Sequence, residues 1–112
     1  MRVSGIKRKL NAPEGAVQLA IIKYLKLRGY VVGKTKTHGV RDGKFYRFDL
    51  YTFVGFPDLT VFTNKELAFI EVKSKVGKQS EAQKEFQEMC GGVGVKYILA
   101  RSVDDVIKAL EL

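Results

Sequence analysis

The sequence predicts an α/β (α+β) domain in which helices flank a mixed sheet. Three observations point there. Apolar positions recur at helical spacing near residues 14–28, short apolar runs separated by turn residues fill 30–73, and the segments follow the order α-β-β-β-α-β-α. With 112 residues the chain has room for one core.

Residues 1–11 carry Arg2, Lys7, Arg8 and Lys9 without periodicity and read as a basic N-terminal arm, leaving 12–112 as the single domain. Asn11-Ala12-Pro13-Glu14 has the character of a helix start, with Asn11 as N-cap and proline in the first turn. That helix is expected to end near Arg28-Gly29. Val17, Ile21 and Leu25 form its apolar stripe, and Glu14 and Gln18 fall inside the N-terminal end of the stripe. Strands are expected at Tyr30-Val31-Val32, from Phe45 after an Asp42-Gly43 turn, at Leu59–Phe62, and at Leu67–Lys73. A second helix is expected over Glu81–Cys90, capped by Ser80 and ended by Gly91-Gly92. An apolar strand at Val95–Ala100 and a helix from Ser102 to Leu110 complete the chain.

Composition narrows the function. The net charge is +8, which favours a polyanionic partner. Cys90 is the single cysteine, so an internal disulfide and a cysteine-based zinc site are both excluded. No apolar run approaches the roughly 20 residues of a membrane span, and the N-terminus lacks the apolar stretch of a signal peptide. A cytoplasmic location without membrane attachment is the expectation.

The chemistry concentrates between Asp58 and Lys73. If Asn64-Lys65 forms the hairpin loop, the residue numbers of each facing pair sum to a constant, so Phe62 faces Leu67, Thr60 faces Phe69 and Asp58 faces Glu71. Lys73 then lies two positions along the same face as Glu71. Facing carboxylates repel, and a cation between them reverses that term. Oxygen-rich sites of this sort suit Mg2+ or Mn2+, which polarise phosphoryl oxygens and activate water. An adjacent ammonium orients that water or neutralises developing charge. Asp58 after a proline, or Glu71 with Lys73 on a strand, is ordinary surface when taken singly. Together, in one register, they fit metal-assisted phosphodiester hydrolysis.

Pro57-Asp58 followed by Glu71-Val72-Lys73 resembles the PD-(D/E)xK nuclease signature. The wider set, Glu14, Gly55-x-Pro57-Asp58, Glu71-x-Lys73, and Gly77 with Ser80-x-x-Gln83, is similar to the VRR-NUC branch of that superfamily in its stand-alone phage and bacterial form. The resemblance implies a restriction-endonuclease-like core, with Asp58 and Glu71 as metal ligands assisted by the backbone carbonyl of Val72. It also implies Lys73 as the catalytic lysine, Glu14 completing the acidic cluster directly or through metal-bound water, and Gln83 lining the site. Glu14 also fits a capping box with Asn11, as Gln83 does with Ser80.

Lys34, Lys36 and His38 alternate along one predicted strand face, and Arg41, Lys44 and Arg47 follow across the next turn, an arrangement suited to tracking phosphates. The same lysines would also protect an edge strand from aggregation. His38 has no partner at metal-ligand spacing. The expected activity is a Mg2+- or Mn2+-dependent deoxyribonuclease. By analogy with relatives that act on branched DNA, it would resemble a Holliday-junction resolvase working as a homodimer. The alternatives are a flap- or nick-directed nuclease and a non-catalytic nucleic-acid-binding module of the same fold.

Overall fold

A computed structural model describes residues 12–35, 40–42, 45–47 and 53–112. The elements run α1 (Glu14–Leu27), β1 (Val31–Lys34), β2 (Val40–Asp42), β3 (Phe45–Arg47), β4 (Leu59–Phe62), β5 (Leu67–Val72), α2 (Glu81–Val93), β6 (Lys96–Ala100) and α3 (Val103–Leu110). Four strands form a mixed sheet in the order β1-β4-β5-β6, while β2 and β3 pair separately as an antiparallel ribbon. In the main sheet β1, β4 and β5 are antiparallel neighbours, and α2 carries the chain across to β6, which lies parallel to β5.

Register on β5 follows from its hairpin. Thr63 N–H donates to the Glu66 carbonyl at 2.8 Å, and the Thr63 hydroxyl accepts from the amides of Lys65 and Glu66 at 3.2 and 3.1 Å. The tight loop fixes Phe62 opposite Leu67 and Thr60 opposite Phe69, as the sequence predicts.

Side chains alternate across a strand, so β5 sends two sets in opposite directions. Ala68, Ile70 and Val72 are fully buried with Leu59 and Val61 of β4, Ile98 and Ala100 of β6, and Ile21, Leu25, Val106 and Leu110 from α1 and α3. This is the core. Phe69, Glu71 and Lys73 lie on the opposite face, which α2 covers with Phe86 and Gln83.

Three boundaries differ from the sequence reading. The N-cap of α1 is Pro13, with no side-chain cap, and Asn11 lies outside the described residues. Helix α2 continues through Gly91-Gly92 and ends at Gly94, which takes the left-handed conformation at φ 77° and returns the Val95 amide to the Cys90 carbonyl. Burial of Phe86 and Cys90 against the sheet outweighs the low helix propensity of the two glycines. Asp42 belongs to β2 rather than to a turn.

No helix among the described residues is long and apolar enough to cross a membrane. Cys90 is buried, and burial pushes its thiol up from the ordinary value, as befits a small core residue.

Candidate active site

Asp58 stands one residue before β4, where the ladder to β5 stops at Leu59 opposite Ile70. Backbone pairing is replaced there by a side chain. The Asp58 carboxylate Oδ2 accepts the Val72 N–H at 2.8 Å, so it closes the end of the sheet as the next rung would. On its other side the Asp58 carbonyl accepts the Thr35 N–H at 2.9 Å, and the Thr35 hydroxyl reaches the Pro57 carbonyl and receives the Thr60 hydroxyl. Asp58 is 4% exposed.

Glu71 is 0% exposed, yet its charge is answered from two sides. Gln83 Nε2 donates to Glu71 Oε2 at 2.8 Å, and Lys73 Nζ lies 3.6 Å from the same oxygen. Burying a carboxylate without such partners would be prohibitive. Lys73 is itself held by its amide, which donates to the Ala100 carbonyl at 2.9 Å and extends the β5–β6 pairing past the strand end.

The two possibilities for Gln83 coexist in one amide. Its Oε1 accepts the Ser80 N–H at 2.8 Å while its own N–H donates to the Ser80 hydroxyl at 3.2 Å, a reciprocal capping box. With the oxygen committed to Ser80, the amide nitrogen must face Glu71. The cap therefore orients the donor.

Gly55 brings the Asp58 loop against this cap. It adopts φ +77°, and a Cβ there would collide with the Ala82 carbonyl and lie 2.8 Å from the Gln83 nitrogen. Only glycine permits the approach. Across the site, the Arg101 guanidinium Nη1 donates to the carbonyls of Ser74 at 2.6 Å and Gly77 at 2.7 Å, with Lys75 further off at 3.3 Å. It staples the loop between Lys73 and Ser80. Arg101 and Thr35 were not singled out from the sequence. Both act on backbone carbonyls of distant segments, which carry no side-chain signature; the only hint was that Arg101 directly follows β6.

The acid pair also bears on Tyr97, from the neighbouring strand. Burial pushes its phenol up to about 12, the Gln79 hydrogen bond opposes that, and the charges of Glu71 and Asp58 add to it. Both carboxylates thus act on one point above the same face of the sheet.

The remaining expected residues are placed differently. Glu14 is exposed on the first turn of α1. It precedes Val17, where the helix first packs on the core, by three positions, so it sits about 4.5 Å beyond that contact along the helix axis. Helix α1 packs on the face opposite Glu71, and Glu14 is not drawn into the buried cluster. Lys34 is exposed at the end of β1. Lys36, His38 and Lys44 lie outside the described residues, as do the side chains of Arg41 and Arg47.

Among the described residues no group of three or more His, Cys, Asp and Glu side chains gathers around a common point. The donor set is two carboxylates at a strand end, beside the Val72 backbone. Hard oxygen donors in that number fit a cation that keeps several waters, and do not fit zinc in a closed protein site.

Fold and site together define an α+β protein whose mixed sheet ends in a buried acid pair served by a lysine and an amide. Residues 51–104 match the family model described as the VRR-NUC domain, a stretch that holds Asp58, Glu71, Val72, Lys73 and Gln83. The match makes this segment similar to VRR-NUC domains, a family of nuclease type. A search of curated proteins gave no match.

Proposed function

We propose that the protein is a metal-dependent DNA endonuclease that hydrolyses phosphodiester bonds at the end of β4 and β5. The observation that carries this reading is the meeting of Asp58 with the Val72 amide, beside Glu71 and Lys73, at one sheet end. In an extended strand the N–H and C=O of one residue project to the same side. The Val72 carbonyl therefore opens toward Asp58, as a third oxygen donor should.

A Mg2+ or Mn2+ ion held by Asp58, Glu71 and the Val72 carbonyl would supply Lewis-acid polarisation of the phosphate and a water of lowered pKa. Lys73 orients the attacking water and offsets negative charge that grows on the phosphoryl oxygens. Gln83 keeps the Glu71 carboxylate turned to its task. Glu14, exposed on the first turn of α1, is assigned to complete the acidic cluster, directly or through metal-bound water. Lys34, Lys36, His38, Arg41, Lys44 and Arg47 are assigned to phosphate contacts. A homodimer pairing two such sites would act on branched DNA in the manner of a junction resolvase.

Incubation with labelled four-way junction, flap and duplex DNA in Mg2+ or Mn2+ tests the proposal. Cleavage is expected with the parent protein and none with Lys73→Ala or Lys73→Gln; because either change strips the buried Glu71 of its cation, the loss is scored only where circular dichroism and DNA binding show a folded variant. Binding with no cutting across these substrates and metals would reduce the protein to a nucleic-acid-binding module. Light scattering that gave a monomer at micromolar concentration would remove the two-site junction mechanism.

A further inference from the structure

We propose that Phe53 is a stacking platform for an unpaired nucleobase beside the phosphate to be cut, so that the preferred substrate has single-stranded character at that point. The proposal rests on the nuclease reading and narrows its substrate class.

Phe53 is a large aromatic left 60% exposed, and Val54 beside it is 69% exposed. An exposed apolar pair next to buried carboxylates is not explained by packing alone. Among the described residues the Phe53 ring makes two ring contacts. It lies 5.7 Å from Phe56 at 37° and 5.7 Å from Phe86 at 82°, while Phe56, Phe69 and Phe86 pack among themselves at 5.0–5.6 Å. An aromatic cluster thus braces Phe53 from beneath. The loop that carries it is pinned by Gly55 against Ala82.

Its place is next to the chemistry. Phe86 follows Gln83 by one helical turn, and Gln83 donates to Glu71. Phe69 precedes Glu71 by two residues on the same sheet face. Neighbours at such spacings are about 5–7 Å apart, which puts the Phe53 ring on the order of 10 Å from the acid pair. That distance spans one or two nucleotides of a strand whose phosphate sits at the carboxylates.

The chemistry selects the ligand. The +8 charge attracts phosphates of any nucleic acid, whereas an open aromatic face adds attraction only for a base whose own face is free. Stacked duplex offers such faces only at ends, branches and gaps.

The chain contains no tryptophan, so Phe53→Trp installs a single fluorescent reporter at the proposed platform. Titrations in EDTA would use a single-stranded oligonucleotide, the corresponding duplex, and a single strand made abasic throughout. Quenching by the single strand is expected, with little from the duplex or from the abasic strand. Phe53→Leu, with a parental circular dichroism spectrum, should bind the single strand roughly 5- to 100-fold more weakly and the duplex within about two-fold. Equal quenching by the abasic strand, or unchanged single-strand affinity in Phe53→Leu, would overturn the platform while leaving the nuclease reading intact. A protein that bound none of the three would overturn both. Base-dependent quenching without cleavage of any substrate would sustain the platform on a binding module.

Discussion

The side chain of Gln83 gives its oxygen to the Ser80 amide and its nitrogen to Glu71, so removing it costs the helix a cap and the carboxylate a donor. Gln83→Ala should lower stability by about 1–3 kcal/mol, read from urea midpoints. It should lower cleavage as well, because Glu71 loses its orientation. Tyr97 makes a separate statement about pH. Its phenol is held up to about 12, chiefly by burial, against an ordinary value of 10.0. The fold therefore prefers the neutral phenol. Stability from this preference is complete below about pH 10 and drains away as pH rises toward about 12. Tyr97→Phe should flatten that alkaline fall, measured as the difference in melting temperature between pH 9 and pH 11. At Asp58 one carboxylate closes the sheet and, on the proposed function, would also offer a ligand oxygen. Asparagine could still accept the Val72 amide, so the two duties are separable there.

Two glycine classes divide the elements. Gly55 is confined by φ +77° and by the Ala82 carbonyl, and Gly55→Ala should cost about 2 kcal/mol or more and displace the Asp58 loop from α2. Gly92 lies within α2 with open space around it, and Gly92→Ala should stabilise by roughly 0.5–1 kcal/mol. Thermal melts of the two variants should therefore shift in opposite directions. Elements defined by local rules were legible in the sequence. The tight loop at Asn64-Lys65 fixed the register that brings Asp58 to the Glu71 end of β5, and Ser80-x-x-Gln83 marked the start of α2. Where packing overrode local preference the reading slipped, as at the end of α2, and at α1, where core contact begins at Val17 and leaves Glu14 exposed. The Thr35 and Arg101 contacts were hidden because they span 22 to 27 residues of sequence and end on backbone carbonyls.

At the scale of the whole molecule the charge makes a prediction of its own. With a net +8, DNA affinity should fall steeply and linearly in log–log form between about 50 and 200 mM salt, checked by fluorescence anisotropy. A flat dependence would mean that phosphate contacts contribute little. The sheet also keeps two kinds of work apart. Ala68, Ile70 and Val72 seal the layer beneath α1 and α3, and Phe69, Glu71 and Lys73 serve the layer beneath α2. Even-numbered positions of β5 face the core and odd-numbered ones the side of the proposed site, so this strand obeys a parity rule. Substitution within either set preserves this alternation, whereas insertion or deletion of one residue does not. A single-residue indel after Leu67 would drive the acid and the lysine into hydrocarbon and turn isoleucine toward α2 and the acid cluster.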